Sequence, residues 1–189
     1  ERISNSYISI MAGNVASSQC YEWLQQFDRV KFIRVGIAGG TSCTTKNATG
    51  VSRGMLSCVA ECAKVKKNTV LIADGGIKEP SDMCKAIAFG ADMVMLGGVL
   101  AAATDSPAET LDKDGALYKI YRGSASFEVQ KEYREKPRYI EGKTSLLKCH
   151  GESIDEILNR FTEGLRSSMS YFNARTLEEY RNNVTFDRK

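Results

Sequence analysis

Cys43 sits in a run of small and hydroxylated residues, Arg34 to Gly50 (RVGIAGGTSCTTKNATG), and this is the most reactive constellation in the chain. On a glycine-rich turn between Thr41, Ser42, Thr44 and Thr45, backbone N–H groups and hydroxyls can stabilise a thiolate and present it as a nucleophile. The plain alternative is a flexible loop with an incidental cysteine, and one such loop does not separate the two. Two glycine pairs, Gly75-Gly76 and Gly97-Gly98, each close an apolar run. Backbone N–H groups at such strand ends grip phosphate, whereas tight turns alone explain one pair more easily than two.

The elements that must position these residues repeat. Tyr7–Met11 reads as a strand ending at Ala12-Gly13-Asn14, followed by a helix capped at Ser17-Ser18 and running to about Phe27. Val30–Ile37 reads as a buried strand, with Gly36, Gly39 and Gly40 expected to take positive φ after it. A helix over about Met55–Lys66 carries Leu56, Val59, Cys62 and Ala63 on one face. Asn68–Asp74 is a third strand. Pro80 opens the next helix, Gly90 caps it, and Asp92–Leu96 is a fourth strand. Continuously apolar strands alternating with helices predict an α/β fold with a parallel sheet and a site at the C-terminal strand ends. Both a doubly wound sheet and a (β/α)8 barrel satisfy that pattern.

At 189 residues, 42% hydrophobic and 26% charged, the chain predicts one domain over 1–189. A net charge of +3 with scattered basic residues gives no nucleic-acid footprint. Six cysteines without a CxxC pair, several on apolar helix faces, suit reduced thiols and a cytoplasmic setting. Cys58 and Cys62 lie one helical turn apart, but with His150 the single histidine they make no metal set. No stretch reads as a signal peptide, and no apolar run approaches the roughly 18 residues of a membrane span.

Six motifs, AGNV (12–15), RVGIAGGTSCTT (34–45), ADGGI (73–77), VMLGG (94–98), YRGSAS (121–126) and EGKT (141–144), occur in the order of the IMP dehydrogenase and GMP reductase family, which the chain resembles along its whole length. The resemblance implies a (β/α)8 TIM barrel of which this chain covers about the last four β/α units. It therefore implies a need for the N-terminal half, whether on the same chain or another. A flap over about 123–145 and a C-terminal helical region over about 152–182 are expected, as is a homo-oligomer, by resemblance a tetramer.

By the same resemblance Cys43 is the nucleophile that attacks purine C2 of GMP or IMP, with Thr45 and Glu141 in its proton relay. Thr41, Asp74, Gly76, Gly97, Gly98, Tyr121, Gly123, Ser124 and Gly142 match substrate-binding positions, Asp74 accepting from the ribose hydroxyls. Ala125, Arg138, Ser170 and Tyr171 match cofactor-contacting positions. Ala38, Gly40 and Cys43 match the loop that holds a monovalent cation (K+), with Ala38 replacing a glycine there.

The segment from Gly123 to Glu141 bears on which activity is expected. Its short form, with GSAS and EGKT, resembles GMP reductases and implies NADPH. Arg34, the YRG at 121–123 and Arg138-Tyr139 resemble IMP dehydrogenases, which use NAD. A non-catalytic purine-nucleotide-binding subunit is the reading from a different class.

Overall fold

The computed structural model describes residues 8–187. Four strands, β1 (Ile10–Val15), β2 (Val30–Val35), β3 (Val70–Asp74) and β4 (Met93–Met95), form one parallel sheet in the order β1-β2-β3-β4. Helices intervene in sequence: α1 (Ser18–Leu24) between β1 and β2, α2 (Thr45–Thr49) and α3 (Met55–Ala63) between β2 and β3, and α4 (Pro80–Ala88) between β3 and β4. Strand order that rises without reversal is the sequence of a β/α barrel wall, whereas a doubly wound sheet reverses direction at its switch point. The sheet does not close on itself among the described residues.

Each element has a local cause. β3 reads VLIAD and is buried through Leu71, Ile72 and Ala73, as expected of an inner parallel strand. Ser17 caps α1 through Cys20 N, and Glu79 with Asp82 forms a capping box around Pro80 at the start of α4. Gly90, at φ 110, ends α4 where any Cβ would stand 2.5 Å from Ala63 Cβ. Ile33, Val35, Leu71 and Ala73 pack with Cys58, Val59, Cys62, Ala86 and Ile87 in the core between sheet and helices. Tyr21, fully buried, hydrogen-bonds Thr69 at 2.9 Å, and burial pushes its phenol up to about 12. Parallel register puts Met11, Arg34, Asp74 and Met93 on the opposite face, where Met11 and Met93 are about half exposed.

Several expected boundaries move. Tyr7 lies outside the described residues, and β1 runs through Ala12-Gly13-Asn14 instead of ending there, because Ala12, Gly13 and Val15 pair with Ile33, Arg34 and Val35 of β2. β2 stops at Val35; Gly36 takes φ 133, but Gly39 and Gly40 do not take positive φ, and Ala38 does, at φ 59. After β4 comes α5 (Gly98–Ala101) and then a second, antiparallel sheet absent from the sequence reading: β5 (Thr110–Lys113), β6 (Ala116–Arg122) and β7 (Thr144–Lys148). α6 (Phe127–Tyr133) lies between β6 and β7 within the expected flap.

The C-terminal region is two helices, α7 (Ile154–Tyr171) and α8 (Leu177–Asn183), each opened by a capping box. α7 buries Ile157 and Phe161 and approaches α4 so closely that a Cβ on Gly164 would lie 2.5 Å from Pro80 Cβ. Asp92 ties α8 to the sheet: it accepts from Lys66 Nζ at 2.7 Å, Arg181 at 3.1 Å and Leu71 N at 2.8 Å. Among the described residues no helix is long and apolar enough to cross a membrane, and no cluster of metal-ligating side chains occurs.

Candidate active site

The Cys43 loop begins where β2 ends and is held in shape by backbone. Gly36 N donates to Val15 O at 2.9 Å, and a Cβ on Gly36 would collide with the carbonyl oxygen of Asp74. Gly39 and Gly75 pass each other with similar closeness, a Cβ on Gly75 lying 3.0 Å from Gly39 Cα. The loop turns back through Cys43 N to Gly40 O at 3.1 Å. It is then joined to the segment before β7 by main-chain bonds: Thr44 N to Glu141 O at 2.8 Å and Lys143 N to Ser42 O at 2.9 Å. This joint brings Glu141 to Cys43 across just over half the chain.

The side chains form a line. Cys43 Sγ donates to Thr45 Oγ1 at 3.2 Å, and Thr45 Oγ1 donates to Glu141 Oε2 at 2.6 Å. A thiol, a hydroxyl and a carboxylate in hydrogen-bonded order can pass a proton along the line while sulfur attacks an electrophilic carbon. Cys43 is only partly buried and opens onto a cavity of about 490 Å³, within the range of small-ligand sites.

A second polar group faces the same cavity at the tips of β1, β2 and β3. Asp74 Oδ2 accepts three bonds, from Asn14 Nδ2 at 2.7 Å, Arg34 NH2 at 2.7 Å and Arg34 Nε at 3.1 Å. Among the described residues Oδ1 takes none, so the carboxylate keeps one oxygen for a ligand donor. Neither Asn14 nor Arg34 is among the sequence-derived site positions, although AGNV and the RVG of the loop contain them. The register Gly13↔Arg34 and Val35↔Ala73 is what sets them beside Asp74.

The expected residues divide by place. Cys43, Thr45, Glu141, Asp74, Tyr121, Gly123, Ser124, Ala125, Gly142, Ala38 and Gly40 all line the cavity. Thr41, Gly97 and Gly98 are not in the lining: a Cβ on Gly98 would lie 3.1 Å from Thr41 Oγ1, and one on Gly97 would lie 3.0 Å from Tyr121 Oη of the lining. Gly76, at φ 80, follows the Gly75 crossing. Arg138 is not in the lining, but its neighbour Tyr139 is. Ser170 and Tyr171 are at the end of α7, and Tyr171 lines a separate groove with Pro80, Cys84 and Phe186. Gly36 and Ser42 also line the cavity, as does Gly75 of the first glycine pair.

A parallel β/α wall with a thiol–hydroxyl–carboxylate line and a glycine-lined cavity at its C-terminal strand ends is the arrangement of part of a β/α-barrel-type domain with a candidate reactive cysteine. The chain belongs to the IMP dehydrogenase / GMP reductase family: the model of the IMP dehydrogenase / GMP reductase domain matches residues 1–189. Members of this family are oxidoreductases. Human GMP reductase 2 is 37% identical over 185 residues, covering 95% of this chain and 53% of that protein. Inosine-5′-monophosphate dehydrogenase of Chlorobaculum parvum is 35% identical over 196 residues, covering 96% of this chain and 39% of the relative. A Trypanosoma brucei GMP reductase variant solved with guanosine 5′-monophosphate superposes with TM-score 0.88 at 34% identity, covering 96% of this chain and 38% of that one. The chain thus spans about half the length, or less, of the relatives it matches.

Proposed function

We propose that this chain carries the substrate half of a GMP reductase site, which converts GMP to IMP and ammonia with NADPH. The observation that carries the reading is the Cys43–Thr45–Glu141 line at the edge of a cavity also lined by Asp74 and the Gly123-Ser124 turn. Cys43 Sγ attacks purine C2, and the amine leaves as ammonia after Glu141 and Thr45 deliver protons to it. The nicotinamide, when bound, supplies a hydride to C2, and the C2–S bond then breaks to release IMP. Hydride plus two protons balances GMP against IMP and ammonium.

In this reading Asp74 Oδ1 accepts from ribose hydroxyls, and Gly97, Gly98, Gly123 and Ser124 donate backbone N–H groups to the phosphate. Ala125 and Arg138 are proposed to face the cofactor. Ser170 and Tyr171, remote from this cavity, could touch cofactor only at another part of the assembled protein. Ala38 holds φ 59, a left-handed conformation open to glycine, and this supports a cation loop here although Ala38 replaces a glycine. A monovalent cation would use the carbonyls of Ala38, Gly40 and Cys43, that of Gly40 sharing its second lone pair while bonded to Cys43 N.

IMP dehydrogenase is the second reading, favoured by Arg34 and by Tyr139 at the cavity beside Arg138. Absorbance at the nicotinamide band decides between them. GMP-dependent oxidation of NADPH supports the reductase, whereas IMP-dependent reduction of NAD replaces it with the dehydrogenase. Nucleotide binding with neither reaction would make the chain a binding subunit.

A further inference from the structure

The segment Arg134–Ile140 crosses from the end of α6 to the relay carboxylate, and its attachment is concentrated on one residue. Among the described residues every hydrogen bond of this segment goes to Gln130. Arg134 N donates to Gln130 O at 2.9 Å, Arg138 N to Gln130 Oε1 at 2.9 Å, and Gln130 Nε2 to Tyr139 O at 3.4 Å. Both ends of one side-chain amide are therefore used, and on consecutive residues of the segment. The two bonds together also fix which end is oxygen and which nitrogen.

Gln130 can act as a fixed post because α6 is itself anchored. Its N-cap Ser126 is fully buried, and Gly142 packs onto it so tightly that a Cβ there would lie 2.9 Å from Ser126 N. Glu132, on the same helix, pairs with Arg122 of β6. The strap, by contrast, has exposed side chains: Tyr139 is 87% exposed, holds φ 53 and yet lines the cavity with Cys43 and Glu141. A non-glycine residue keeps that backbone region only where its surroundings hold it. Two residues on from Tyr139 is Glu141, whose Oε2 accepts from Thr45.

We infer that Gln130 is a positioning residue: its amide pins the strap across the cavity mouth, so that the Tyr139 ring forms a wall for a planar ligand and Glu141 stays in register with Thr45. The bond to Arg138 N is the shorter and carries most of the hold. The pinning itself needs no nucleotide; the wall for a planar ligand rests on the function proposed above.

The test separates the two. In a Trp23→Phe, Tyr139→Trp background the indole reports on the strap alone, because Trp23 is the single tryptophan. Adding Gln130→Met, which keeps the length and loses both bonds, is expected to lower indole anisotropy and raise acrylamide quenching at least twofold without nucleotide. Gln130→Glu, which keeps an acceptor for Arg138 N, is expected to restore most of both signals. The melting temperature should move little in either. Unchanged anisotropy and quenching in Gln130→Met overturns the inference, as does a change matched by global loss of structure. With GMP added, the Gln130→Met variant of the otherwise unaltered chain is expected to bind about 3- to 10-fold more weakly than Gln130→Glu. If GMP binds neither variant nor the parent while the anisotropy result holds, the proposed function fails and the pinning stands. If GMP binds all of them equally, the ligand wall is overturned.

Discussion

Thr45 Oγ1 lies 2.6 Å from Glu141 Oε2, although the two residues are 96 positions apart in the chain. Thr45 also accepts from the thiol of Cys43, so one hydroxyl connects the thiol to the carboxylate. Groups that act through one shared hydroxyl are not independent. Glu141→Gln is expected to lower kcat about 10²- to 10⁴-fold, with nucleotide affinity changed by no more than about threefold. Thr45→Val should cost a similar factor, and the double variant should be little worse than the poorer single one. Multiplying losses in steady-state kinetics would show that the two act separately.

Gly36 predicts a stability effect at the crossing of the loop and β3. Its φ of 133 disfavours any side chain, and a Cβ would meet the Asp74 carbonyl oxygen. Gly36→Ala is expected to destabilise by about 2–4 kcal/mol, read from urea unfolding, with Gly50→Ala costing less because nothing lies within 4 Å of a Cβ there.

Acid should expose a tie between α1 and α3. Glu61 accepts from Arg53, from Ser18 N at 2.8 Å and from Ser18 Oγ at 3.1 Å. The bond from Arg53, followed by those from Ser18, holds its carboxyl down from 4.5 to about 2. A depressed folded value means that the stabilisation is whole above about pH 4.5 and drains away as pH falls towards about 2. Stability measured by circular dichroism should fall across that window more steeply for the parent than for Glu61→Gln, the two converging at the acid end.

The open sheet predicts association. β1 and β4 are edge strands among the described residues, and half-exposed Met11 and Met93 lie on the face away from the helices. Such edges and apolar faces recruit other strands. The 1–189 chain on its own is expected to self-associate or aggregate in light scattering, and a soluble monomer with a sharp cooperative melt would rule out a barrel-wall sheet that needs completion.

The parallel units were legible because each strand is a mainly apolar run with Gly, Asn or Asp at or just after its end, a pattern that needs only local sequence. β5, β6 and β7 were not. TLDK is exposed at every residue and TSLLK only alternates between exposed and half-buried, and short mixed runs of this kind resemble loop. Cys43, Thr45 and Glu141 were recoverable from motifs. Asn14 was not, because an asparagine at the tip of a strand reads as a stop signal until register sets it against Asp74, 60 residues away. Gln130 lies in no motif, and its bonds appear only once α6 and the strap are folded together.

The joint between the nucleophile loop and the segment before β7 is main chain to main chain, through Thr44 N, Glu141 O, Lys143 N and Ser42 O. Side chains at positions 44 and 143 can therefore drift through evolution without loosening it, and an alanine scan would pass over both. A proline at position 143 would not be tolerated in the same way, since it removes the one N–H that Ser42 O accepts. The attachment that keeps nucleophile and carboxylate together is thus written in backbone, where comparison of residue identities between relatives would not find it.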